Sequence, residues 1–160
     1  MKTLNISHNN FDSKFNKLLK QKGGRNIVRS NFDLENISMN KKIDFIVHKI
    51  SEFEFRKIVF KIIFWDDENR ILDVINKKYD FDSIISSKQY KNGATPGVIF
   101  IEDSKLNVSF FRQILLLHFN FELAKDPCIN MKLQIFFDFE NDKDILLDIY
   151  DDRGFNVYYF

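Results

Sequence analysis

A single cysteine, Cys128, stands among 160 residues, so no internal disulfide can staple the chain, and a reducing, cytoplasmic setting is expected. Proline occurs twice and glycine five times, too few for a collagen-like or low-complexity chain. No run approaches the roughly eighteen uninterrupted apolar residues that a spanning helix needs, and residues 1–10 lack the apolar core of a signal peptide. No membrane partner is therefore expected. Phosphate-cradling Gly-x-x-x-x-Gly-Lys, dinucleotide-binding Gly-x-Gly-x-x-Gly and nucleophile-elbow Gly-x-Ser-x-Gly are all missing. His8, His48 and His118 are far apart and outside any metal-ligand spacing. These absences argue against an enzyme and leave no cofactor to expect.

What is present is an ordinary globular composition, 44% hydrophobic and 29% charged, long enough for one domain over residues 1–160. The 19 phenylalanines match a coding bias that also favours Ile, Asn and Lys, and they carry little information about an aromatic ligand. Charge is uneven despite a net value of +1: residues 1–64 carry 13 basic and 6 acidic side chains, residues 65–160 carry 11 and 17. A fold that keeps the halves apart would have a basic and an acidic face, and one that interleaves them would cancel the difference.

Phe11, Phe15, Leu18 and Leu19 recur at helical spacing between Asn10 and the Gly23-Gly24 stop, which predicts an amphipathic helix. Residues 25–40 have no period, apart from a short extended piece at 26–29. Alternation of Ile43, Phe45 and Val47 predicts a strand. Residues 51–64 fit both periods, and the Ser51/Glu54 capping-box pair favours helix. A strand is predicted at 71–75, a short helix at 82–90, a loop at 92–97, a strand at 98–101 and a helix at 108–124 that stops before Asp126-Pro127. Alternation of Leu133, Ile135, Phe137 and then Ile145, Leu147, Ile149 predicts a hairpin, and a tight turn leads to a last strand at 156–160. The expected fold class is α+β: a mostly antiparallel sheet with two or three packed helices, ending in a three-stranded antiparallel meander.

The run Leu147-Asp148-Ile149-Tyr150-Asp151-Asp152-Arg153-Gly154-Phe155-Asn156-Val157 resembles the signature of a bacterial family of unknown function. Members of that family end in a strand, a Tyr-Asp-Asp-Arg-Gly turn and a short strand. The resemblance covers about a dozen residues, and it implies a home in variable bacterial loci. By chemistry, Asp151 and Asp152 beside Arg153 could hold a divalent metal for hydrolysis. The same residues suit the pinning of a turn better: Asp accepts backbone N–H groups, Arg pairs with a carboxylate, and Gly154 supplies an unusual backbone angle. No converging ligands are visible elsewhere, so Tyr150, Asp151, Asp152, Arg153 and Gly154 are read as a structural turn. Asp138, Glu140, Asp142 and Asp144 imitate the opening of a calcium loop, but Lys143 stands where its glycine belongs and Ile149 where its glutamate belongs. Cys128 with His118 as base is a thin nucleophile candidate, and the cysteine reads better as a small core residue. Trp65, Tyr158 and Tyr159 could stack on bases, although strand aromatics more often pack within the fold.

Three functional expectations remain. The first is an immunity protein that occludes the active site of a cognate toxin domain, with Asp66, Asp67, Glu68, Glu140, Asp142 and Asp144 as partner-binding residues on acidic turns. The second is a nucleic-acid-associated prophage-type protein using Lys14, Lys17, Lys20, Lys22, Arg25 and Arg29. The third is a metal-dependent hydrolase at Asp151 and Asp152. The turn reading is testable: if Gly154 takes a positive φ, Gly154→Ala lowers stability by about 1 kcal/mol in urea unfolding.

Overall fold

A computed structural model describes residues 27–31, 37–65, 68–87, 96–138, 145–151 and 154–159 of the chain. The expected helix at 11–22 and most of the expected loop at 92–97 lie outside these residues. Seven strands form one antiparallel sheet: β1 (Ile27–Asn31), β2 (Lys57–Phe64), β3 (Ser83–Ser87), β4 (Gly97–Asp103), β5 (Met131–Asp138), β6 (Ile145–Asp151) and β7 (Gly154–Tyr159). Their spatial order is β1-β7-β6-β5-β2-β4-β3. Three helices are described, α1 (Met39–Ser51), α2 (Glu68–Ile75) and α3 (Val108–Glu122). The fold is α+β and closes on the β5-β6-β7 meander, as the alternation at the C-terminus implied. No described helix is long and apolar enough to cross a membrane.

The helices gather on one face of the sheet. There Ile58, Phe60, Ile62 and Phe64 of β2 meet Leu133, Ile135 and Phe137 of β5, Ile99 and Ile101 of β4, and the buried faces of all three helices. Phe60 packs edge-on against Phe110 of α3 at 5.6 Å, and Phe81 and Tyr79 close on the same ring at 4.8 and 5.2 Å. The Asn107 side chain caps α3 by accepting from Phe110 N at 3.0 Å, satisfying one of the orphan amides of its first turn.

Four local expectations are overturned, each for a physical reason. Residues 43–47 are helix, because Ile43, Ile46, Val47 and Ile50 form the buried stripe of α1 while Phe45, half exposed, only mimicked alternation. Ser51 is the last residue of that helix, its Oγ donating to Val47 O at 2.7 Å, and caps nothing downstream. The stretch after it becomes β2, a central strand buried on both faces, whose near-continuous apolar run suits either period. Residues 71–75 belong to α2, with Ile71, Val74 and Ile75 inward and Asp73 outward, since five residues are too few to separate the two periods. The fourth is the short helix expected at 82–90, where the edge strand β3 runs along β4.

Gly97 is paired with Phe64, and a Cβ built on it would sit 2.3 Å from Cζ of that ring. The ring is itself buried and cannot swing clear. Gly97→Ala is therefore expected to cost about 1–3 kcal/mol, the range for overpacking a core, as a lower urea midpoint at unchanged slope.

Candidate functional site

Strand direction sorts the acidic turns. β2 runs from Lys57, opposite Asp138, to Phe64, opposite Met131, a span of about 23 Å at strand rise. The connection at 139–144 leaves β5 at the Lys57 end, and the connection at 66–67 leaves β2 at the Phe64 end. Glu68 opens α2, and the side chains of Asp66, Asp67, Glu68, Glu140, Asp142 and Asp144 lie outside the described residues. The strand ends from which the two acidic connections depart thus lie at opposite ends of the sheet.

The base of the 139–144 connection is clamped. Arg56 N donates to Asp138 O at 2.8 Å, and Arg56 Nη2 donates to Asp138 Oδ1 at 2.8 Å. Asp138 is buried, so its charge is screened little, and the charge-assisted bond holds the strand terminus from which the acidic tract departs. Phe53 and Phe55 pack edge-on against Phe137 at 5.5 and 5.3 Å and reinforce the same corner. Sequence reasoning missed Arg56, because nothing local marks a residue whose partner lies 82 positions away.

Asp151 and Gly154 are paired residues at the end of the β6-β7 hairpin. The register slips by one residue between Ile149 and Asp151, which leaves Tyr150 as the extra residue of a bulge. Asp152 and the Arg153 side chain lie outside the described residues. Among the described residues no three His, Cys, Asp or Glu side chains cluster in a way that could hold a metal ion. Cys128 is half-buried in the connection after α3 and not in the core, with its thiol 3.7 Å from Asp126 Oδ1. His118 is buried on α3 beside the Phe119 ring, and His48 lies exposed near Glu52 at 3.3 Å. Trp65 is largely exposed at the Phe64 end, while Tyr158 and Tyr159 fall on opposite faces of β7.

Among the described residues, strands of the basic and acidic halves are interleaved. β2, from the basic half, lies between β4 and β5 of the acidic half. Arg56 pairs with Asp138, Lys57 Nζ with Glu102 Oε1 at 2.7 Å, and Arg112 with Asp44. Lys42 and Lys61 are buried, and Lys49 reaches Glu52. Within 37–64, then, most cations are occupied inside the fold. Of the six basic residues put forward for nucleic acid, only Arg29 falls in a described segment, as a backbone position of β1 opposite Asn156.

Comparison of the chain with protein families, with curated proteins and with solved structures finds no match.

Asp103 is a second feature that the sequence did not reveal. It ends β4 on the helix-covered face, 1% exposed, with Oδ1 accepting from Lys105 N at 3.1 Å and Oδ2 without a hydrogen-bond partner. Burial raises its pKa above the ordinary 3.8, and the negative charge of Asp82 adds to the rise, against the lowering by the Lys105 amide. A raised carboxyl pKa means that the folded state holds this proton more tightly than the unfolded chain. The resulting penalty is absent below the unfolded pKa and grows as pH rises through the folded one. Asp103→Asn keeps the amide acceptor and removes the charge. It is expected to raise the melting temperature at pH 7, with the gain vanishing as pH is lowered towards 3.8, as followed by thermal melts across that range.

Proposed function

We propose that this protein neutralises a cognate bacterial toxin domain by placing an acidic turn in the toxin's basic active-site cleft. The observation that carries the reading is the clamped base of the 139–144 connection, where Arg56 holds Asp138 through both backbone and side chain. An acidic tract on a rigid strand end loses less conformational freedom on binding than one on a loose loop. Its charges favour fast, steered association with a basic cleft. Because the two acidic sets sit at opposite ends of the sheet, one cleft engages one of them. The anchored 139–144 tract is the better contact, and Asp66, Asp67 and Glu68 are secondary.

The test is co-expression with the toxin domain encoded by the adjacent gene, followed by pull-down and a growth-rescue assay. A one-to-one complex and rescue are expected. Reversing Glu140, Asp142 and Asp144 to Lys should slow association at least about tenfold at low salt, with the difference shrinking as salt rises. The same reversal at Asp66, Asp67 and Glu68 should leave the rate within about threefold. Absence of both complex and rescue rejects the proposal.

A further inference from the structure

A helix laid over a sheet ordinarily turns a polar face to water, but α3 does not. Phe110, Phe111, Ile114, Leu117 and His118 form its buried side. Val108, Arg112, Leu116 and Leu123 fall within one arc of about 80° at about 100° per residue, and Val108, Leu116 and Leu123 are 40%, 37% and 40% exposed. Arg112 lies in the same arc and is ion-paired with Asp44 of α1, so its charge is met within the fold. Leu116 stands midway between the other two, eight residues after Val108 and seven before Leu123. The stripe therefore reads nearly the same in both directions.

Charge at the two ends of α3 has the matching pattern. Its first turn holds no acidic residue and its last turn no basic one, so its own side chains do not offset the partial charges of the helix dipole. Exposed Lys105 precedes the amino end, while Glu122 and exposed Asp126, with Lys125 between them, lie at the carboxyl end. These signs suit the opposite end of an antiparallel neighbour.

We propose that the stripe is where a second copy of this chain docks, the two α3 helices packing antiparallel about a two-fold axis near Leu116. Val108 then meets the partner's Leu123, Leu116 meets its own counterpart, and Lys105 comes beside the partner's Asp126. A parallel pairing would set Lys105 against Lys105 and Asp126 against Asp126. Because one patch serves both copies, association closes at the dimer. A phosphate backbone or an anionic membrane would call for basic charge along the whole stripe, and here the two ends differ in sign. From Val108 to Leu123 the stripe spans about 22 Å. One helix pair of that length covers less than the roughly 800 Å² per partner of a standard interface, which makes the dimer a weak and reversible one. The assignment does not rest on the toxin-neutralising reading.

Sedimentation equilibrium of the full chain, from about 10 μM to about 1 mM, tests it. A reversible monomer–dimer equilibrium is expected, with half-association on the order of 100 μM. Leu116→Glu sets two carboxylates face to face at the axis and should weaken association at least about tenfold, with the melting temperature within about 2 °C because the site is exposed. Lys105→Glu alone should weaken association about threefold or more, and adding Asp126→Lys should restore it to within about twofold. A chain that stays monomeric up to about 1 mM overturns the proposal. So does a dimer indifferent to Leu116→Glu, or a double charge reversal no better than Lys105→Glu alone.

Discussion

β2 is hydrogen-bonded to β4 along one edge and to β5 along the other, and its side chains are buried on both faces of the sheet. A strand so placed has no solvent side on which to put polar groups, so its apolar residues must match two different surroundings at once. Ile58, Phe60 and Ile62 meet the helices, whereas Val59 and Lys61 stand on the far face. The helix-covered face then follows from β2: Phe60 seats α3 through Phe110, and the aromatic pair Tyr79 and Phe81 closes the remaining gap. Most of the stability of the domain is hydrophobic burial organised around this strand.

Electrostatics follow the same topology. Threading a strand from the basic half between two strands of the acidic half sets Arg56 against Asp138 and Lys57 against Glu102. An exposed pair contributes at most about 1 kcal/mol, so these contacts matter less for stability than for direction. Arg56 orients the end of β5, and Lys57 with Glu102 ties neighbouring strands.

Polar groups inside the fold fall into two kinds. Asp103 is held by a turn of its own making and bears the desolvation of its unpartnered oxygen as a local cost. The rung of Lys61, Gln134, Asp148 and Asn156 crosses four strands, with Gln134 Oε1 and Asn156 Oδ1 buried and without a hydrogen-bond partner. The first is a feature of stability, the second one of architecture.

Periodicity in the sequence was enough for α3 and for the β5-β6-β7 meander. In α3 the apolar residues Phe110, Ile114 and Leu117 recur at helical spacing on the buried side, and in the meander alternation runs through Leu133, Ile135 and Phe137. The pairing of Asp151 with Gly154 is likewise a local one. Elsewhere the local pattern was ambiguous, and tertiary contact decided the outcome. Phe45 is apolar but faces outward, α2 is too short to show its period, and β2 is apolar on both sides. Candidate acidic residues could be named from composition, yet the Arg56 clamp and the buried Asp103 depend on pairings across distant segments. Local sequence encodes which face of an element is apolar; which residues meet across the sheet is set only when the strands choose their neighbours.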